Sequence, residues 1–167
     1  MIKIHNNLEI VSPNLIPKGQ DCLLDSLSEL YKLGLLMQVI CEREKGIGLS
    51  AVQVGIPLNF FIIKFVNVYR YFVNCNYKPI SEDKEQYIEA CLSIKNADNK
   101  LRCFEVNRFK NVLVKGKELV SEPTLEIKDF EYNPTDYYKT VFQHEIDHRY
   151  GILISDIGKE IFLWRNK

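Results

Sequence analysis

His144-Glu145-Ile146-Asp147-His148 sets two imidazoles four residues apart, with a carboxylate next to the first. On a helix, residues four apart lie on one face, so both rings point the same way. Two histidines in this H-E-x-x-H spacing bind a divalent metal, and the glutamate acts as general base on the water the metal activates. The whole chain has only three histidines, and two of them stand here, which argues for selection over coincidence.

That chemistry needs a helix to carry it. Asn133 is a capping residue type and Pro134 suits a first helical position, because the N–H it lacks would have gone unpaired there. Gly151 follows the second histidine, where a left-handed residue commonly closes a helix. The spacing therefore predicts a metal-binding helix over residues 134–150.

Two histidines do not complete a catalytic site, which usually has three protein ligands and one open position. An extended pattern with a third ligand six residues on finds Gly151 in place but Ile154 where the ligand should be. Glu160, the one downstream glutamate, lies beyond Gly151 and a strand-like run. An upstream cysteine remains. Cys91 stands among polar, functional-looking residues and leads Cys103 by a narrow margin. His5 has nothing near it in sequence to support ligation and reads as a surface or structural residue.

The rest of the 167-residue chain must position these groups. At 46% apolar and 26% charged residues it is ordinary for a globular protein and unlike a disordered one. This length predicts a single domain over residues 1–167 with a substantial core. The 22 basic residues balance 22 acidic ones, so no net field steers the chain to nucleic acid or anionic membrane. Cys22, Cys41, Cys75, Cys91 and Cys103 are odd in number and lack a C-x-x-C pair, which points to free thiols in a reducing compartment with one available to a metal. With no leader-like N-terminus and no membrane-spanning apolar run, the expectation is a cytoplasmic protein.

Residues 1–19 read as irregular, broken by Ser12-Pro13 and Pro17-Lys18-Gly19, with Ile2, Ile4 and Ile10 as anchors. From Asp21, a capping type, to about Lys45, the apolar residues Leu23, Leu27, Leu30, Tyr31, Met37 and Cys41 recur at helical spacing, and Gly34 marks close packing. Gly46-Ile47-Gly48 then implies a positive φ or a close approach of backbone to another group. The loop is no phosphate cradle, since it lacks the Lys-Ser/Thr ending and follows a helix. Gln53 beyond it has an amide that could donate to a carbonyl oxygen held near the glycines. Residues 58–66, 71–75, 102–109 and 111–115 read as strands, with extended chain from 119 to 130 and a short strand with a helical turn after 152. Strands first and a core helix late make an α+β fold of mostly antiparallel sheets around the metal-binding helix.

Three separated stretches resemble, in order, the three motifs of peptide deformylases. Gly46-Ile47-Gly48-Leu49-Ser50-Ala51-Val52-Gln53 resembles G-x-G-x-x-x-x-Q. Glu89-Ala90-Cys91-Leu92-Ser93 resembles E-G-C-L-S, and Gln143-His144-Glu145-Ile146-Asp147-His148 resembles Q-H-E-x-D-H. The resemblance implies Cys91, His144 and His148 as metal ligands and Glu145 as catalytic acid and base. It implies Gln53 and the Leu92 backbone N–H as the pair that polarises the substrate carbonyl. By the same matching, Ile47 and Gly48 contact substrate backbone, Gly46 is structural, and Tyr87, Tyr137 and Val141 line the pocket for the methionine side chain. Glu89 pairs with a downstream arginine, for which Arg102 is the candidate, while Gln143 and Asp147 support the ligands.

The departures are Ala90 for the usual Gly, with Ser50 and Val52 for residues more often Ala and Pro or Thr. The ending after Gly151 resembles the short, phage-type or divergent bacterial members that lack a long C-terminal helix. The implied reaction removes the N-formyl group from the initiator methionine of nascent peptides and releases formate. The implied cation is Fe²⁺, with Ni²⁺, Co²⁺ or Zn²⁺ as substitutes. The implied setting is a monomer in the cytoplasm (a host's, for a phage-encoded chain), in passing contact with the ribosome. Two alternatives keep parts of this reading. One is a metal-dependent peptidase or other amidase; the other is a non-catalytic metal-binding or ribosome-associated protein.

Overall fold

Helix α1, Leu27–Arg43, buries Leu30, Leu33, Gly34, Met37, Ile40 and Cys41, one stripe at three- and four-residue spacing. Gly34 is where the helix meets the sheet: a β-carbon there would lie 2.6 Å from Cε1 of the Tyr71 ring. The computed structural model describes residues 7–162, so Ile2, Ile4 and His5 lie outside the described residues. Within them, Leu8 and Ile10 pack on the cluster under α1.

The helix starts later than its apolar period predicts. Gln20 bridges to Leu58, the Cys22 N–H donates to Asn74, and Asp21 accepts from Asn59 at 3.0 Å. These contacts hold residues 20–22 extended, so Asp21 does not cap, Ser26 takes the N-cap position, and Leu23 is 78% exposed.

Two antiparallel sheets follow. The first runs in the order β1 (Gly48–Ser50), β2 (Phe60–Phe65), β3 (Val68–Pro79), β6 (Val112–Val120), β7 (Glu126–Tyr132). The second runs β4 (Lys84–Lys95), β5 (Leu101–Phe109), β8 (Lys159–Ile161). The one helical turn α3, Ile154–Ile157, leads into β8. The α+β architecture is the expected one, but β3 runs beyond the expected 71–75 and β4 is a strand the letters do not announce, because the outer halves of both are polar and exposed.

Helix α2, Tyr138–Arg149, lies between the sheets. Phe142 and Ile146 join the apolar cluster of Phe61, Phe72 and Val114 on the first sheet. The Gln143 amide faces the second sheet, accepting from the Phe109 N–H and donating to the Phe109 carbonyl, both at 3.0 Å. Buried on both sides from Phe142 to His148, α2 is a core helix carrying polar groups, which are tolerated there only if satisfied or used. It begins four residues later than the 134–150 prediction. Asp136 adopts φ 51°, a left-handed conformation that turns the chain just before the first helical residue and keeps Asn133-Pro134 outside.

Candidate metal centre and cleft

β4 and β5 pair in register from Lys84–Phe109 to Ala90–Cys103, then slip, and pairing resumes at Lys95–Leu101. Residues 91–94 therefore bulge against a single residue, Arg102. A bulge re-aims side chains and frees backbone groups, and is common beside active sites. Cys91 and Leu92 occupy it.

The bulge delivers Cys91 to α2. One donor atom from each of Cys91, His144 and His148 lies within 4.8 Å of the others. The Cys91 Sγ is 3.5 Å from His148 Nε2, and the two rings are 4.7 Å apart, edge to face. Glu89 accepts from His144 Nδ1 at 2.8 Å, which fixes the ring and leaves Nε2 for the cluster. The sulfur that was only narrowly preferred in the sequence is thus the one beside both imidazoles. Cys103, opposite Ala90 on β5, is not in the cluster, and Glu160 is engaged elsewhere.

The protonation states are strongly biased. Burial works against charge on His144, but its bonds to Cys91 and Glu89 prevail and push it up to about 10. Burial and the neighbouring His144 hold His148 well below the ordinary range. One thiol and two imidazoles suit a borderline divalent cation, which would displace the protons they share. Glu145 supports the same conclusion: its Oε2 is buried with no hydrogen-bond partner although the carboxyl lines the cleft. Burial, reinforced by Glu89 and opposed by His144 and Arg108, raises the Glu145 pKa to about 7, where a general base is most effective.

Gln53 sits in a short 3-10 turn, Ala51–Val54, after β1. Its Oε1 accepts from the Ser50 N–H at 2.9 Å, so its Nε2 faces Cys91 Sγ at 3.3 Å and Ser93 Oγ at 3.2 Å. The glycine loop owes its composition to close approach: a β-carbon on Gly48 would stand 2.9 Å from the Glu145 carboxyl carbon, and one on Gly46 would lie 2.8 Å from a Leu92 methyl.

The arginine that holds Glu89 is Arg108, not Arg102. Its Nε and Nη2 donate to the two Glu89 oxygens at 2.7 and 2.9 Å, its Nη1 donates to Asp147, and it is 3% exposed. Asp147 also accepts from the Tyr77 hydroxyl at 3.0 Å, so it is part of a buried network and not of a solvated helix face. Burial disfavours the charge on Arg108, yet the two carboxylates keep its pKa above the ordinary value. Arg102 stands opposite the bulge, leans over the Phe104 ring, and donates from Nε to Glu160 on β8 at 2.7 Å. Loop length and register decide which arginine arrives, and the six-residue offset was not readable from composition.

A cleft of about 490 Å³ opens in front of these groups. Ile47, Gly48, Gln53, Tyr87, Glu89, Leu92, Tyr137, Val141, His144 and Glu145 all border it, as does Gly46. Cys91 and His148 stand behind its wall, fully buried. Ala90, the departure from the usual Gly, borders it as well, and Lys45, Ile88, Leu101 and Thr140 complete the wall without being expected there. Thr140 had a legible signal, four residues before His144 on the same helical face. Leu101 had none, because it arrives with the loop between β4 and β5.

Comparison with known proteins follows the same lines. The polypeptide deformylase family model matches residues 19–161. A peptide deformylase of Pseudothermotoga lettingae is 34% identical over 112 residues, which are 67% of this chain and 58% of that protein. The chain spans about three fifths of the length of the first curated relatives it matches. The crystal structure of peptide deformylase from Thermotoga maritima superposes with a TM-score of 0.73 at 28% identity, covering 92% of this chain and 98% of that one. A probable peptide deformylase from Synechococcus phage S-SSM7 gives 0.75 at 27% identity, over 90% and 99%.

Proposed function

Because the chain belongs to the polypeptide deformylase family, we propose that it hydrolyses the N-formyl group from the initiator methionine of nascent peptides and releases formate. The observation that carries this reading is the unpartnered carboxylate of Glu145, bordering a cleft next to three converging donors, Cys91, His144 and His148. Those three residues would hold one divalent cation, Fe²⁺ by resemblance, though the donor set also accepts Zn²⁺, Ni²⁺ or Co²⁺. Bound there, the cation supplies Lewis acidity and lowers the pKa of water toward about 7.

The protein's own groups do the rest. Glu145 takes a proton from the attacking water as its oxygen bonds to the formyl carbon. Negative charge grows on the carbonyl oxygen, toward which the Gln53 amide and the Leu92 N–H are the available donors. Glu145 then returns its proton to the departing amine nitrogen, the C–N bond breaks, and formate leaves. Ile47 and Gly48, at the start of the edge strand β1, bind the peptide backbone, while Tyr87, Tyr137 and Val141 receive the first side chain. Glu89, Arg108 and Asp147 position His144.

Residues 1–167 act as one catalytic domain, working as a monomer in the cytoplasm with passing ribosome contact and without nucleic acid recognition. No helix of the described residues is long and apolar enough to cross a membrane. The test is formate release by anaerobically Fe²⁺-loaded protein from formyl-Met-Ala-Ser, with acetyl-Met-Ala-Ser and an internally cleavable peptide alongside. Formate from the first substrate alone upholds the reading. Cleavage of the internal peptide makes it a peptidase, and no turnover on any substrate refutes it.

A further inference from the structure

Two buried polar atoms on the cleft wall have no hydrogen-bond partner among the described residues. One is Glu145 Oε2, which the proposed reaction uses. The other is Thr140 Oγ1, which it does not.

A helical threonine ordinarily satisfies its hydroxyl by donating to the carbonyl three or four residues back. For Thr140 the residue four back is Asp136, which lies before the helix at φ 51°, and the residue three back, Tyr137, spends its carbonyl on the Thr140 and Val141 N–H groups at 3.0 and 3.1 Å. The hydroxyl is left over. Thr140 is only 8% exposed, so bulk water does not satisfy it freely, and a buried unpaired hydroxyl is destabilising. It lies one helical turn from His144 and borders the cleft together with Tyr87, Tyr137 and Val141. The Tyr87 hydroxyl is already engaged by Glu85. Among the described residues around the apolar part of the cleft, the Thr140 hydroxyl is the buried donor left without a partner.

Resting on the deformylase reading, we propose that Thr140 is a specificity-determining residue whose hydroxyl donates to an acceptor atom in the substrate's first side chain. The recognised class is a sulfur-bearing chain: a thioether, which is a weak acceptor, and more strongly its sulfoxide, whose oxygen is a good one. A hydrocarbon chain of the same shape leaves the hydroxyl unpaired and is penalised for it.

The experiment compares formyl-Met-Ala-Ser, formyl-norleucine-Ala-Ser and formyl-(methionine sulfoxide)-Ala-Ser as substrates of the wild type, Thr140→Val and Thr140→Ser, with melting temperatures of all three proteins. For the wild type, kcat/KM should favour methionine over norleucine by about threefold, and the sulfoxide over norleucine by about tenfold, as one weak and one good hydrogen bond provide. Thr140→Val should level the three substrates and raise Tm, since it removes an unsatisfied hydroxyl without changing shape. Thr140→Ser should keep the wild-type order. The same preferences in Thr140→Val as in the wild type, or a lowered Tm with unchanged preferences, would overturn the proposal. Should no formate appear from any substrate, the deformylase reading falls separately. Calorimetric binding of unformylated Met-Ala-Ser and norleucine-Ala-Ser then decides for Thr140: a preference that Thr140→Val abolishes upholds it, and equal affinities refute it.

Discussion

Gly48 and Glu145 occupy one space. A β-carbon at Gly48 would overlap the Glu145 carboxylate, with 2.9 Å to its carboxyl carbon, while the Gly48 backbone is ordinary extended strand paired with Ile63. The glycine is therefore required by the carboxylate and not by a turn. Gly48→Ala should leave the fold and the metal content intact and push Glu145 out of reach of the substrate. We expect kcat on formyl-Met-Ala-Ser to drop by about 10² or more, the usual scale for general acid–base catalysis. Wild-type turnover in the alanine variant would show that Glu145 does not work from where it stands.

Gln53 tests the other half of the chemistry. Its Oε1 is fixed by the Ser50 N–H, so its Nε2 is presented rigidly. Gln53→Ala should cost about 3 kcal/mol of transition-state stabilisation, the scale for one oxyanion donor, and should show in kcat more than in KM. An unchanged rate would remove Gln53 from the mechanism.

Arg108 and Arg102 make opposite predictions. Arg108→Met takes from the buried Glu89 and Asp147 the cation they share, and breaking such a group typically costs about 3–5 kcal/mol. Urea denaturation should show that loss, and metal titration should show weakened binding as His144 loses its fixed partner Glu89. Arg102→Ala removes an open contact with Glu160 on the sheet edge and should leave metal content and turnover unchanged. If Arg102→Ala were the variant that lost metal, the network drawn here would be wrong.

These contrasts show where the letters suffice and where they do not. The two histidines, Glu145 and Gln53 are local words whose helix and loop settings follow from short-range periodicity. Cys91 is singled out by the motif resemblance, and the bulge at residues 91–94, a long-range feature of strand pairing, brings its sulfur to both imidazoles. The partner of Glu89 depends on how many residues the β4–β5 loop spends, so sequence proximity chose Arg102 where register brings Arg108. Both helices start late for the same kind of reason. Asp21 and Asn133-Pro134 are good caps in isolation, but tertiary contacts hold residues 20–22 extended and a left-handed Asp136 turns the chain before α2.

Three buried thiols that take no part in the site lower stability at alkaline pH. Cys22, Cys41 and Cys75 are buried, and burial pushes each up to about 12 from an ordinary value of 9.0. The folded state keeps them protonated while the unfolded chain ionises above pH 9, so stability is full below 9 and falls as pH rises toward 12. Each fully responding thiol removes about 1.4 kcal/mol per pH unit. Denaturant midpoints measured from pH 8 upward should therefore decline, and Cys75→Ala should make the decline shallower. A flat profile to pH 11 would mean that these thiols are not shielded as described.

The β2–β3 hairpin offers a stabilising change far from the site. Val66 stands at its tip with φ 55° and is 83% exposed, so a β-branched residue bears a left-handed backbone while burying almost nothing. The backbone conformation favours glycine or asparagine, and a non-glycine residue there costs about 1–2 kcal/mol. Val66→Gly relieves that strain but adds freedom to the unfolded chain, which offsets part of the gain. Val66→Asn keeps a side chain that tolerates the conformation and should be the better variant, with a net gain of about 1 kcal/mol. Its N–H still donates to the Tyr138 hydroxyl in either variant, so α2 stays anchored and formate release should not change. A lower denaturation midpoint for Val66→Asn would mean that the exposed valine makes a contact worth more than the strain it imposes.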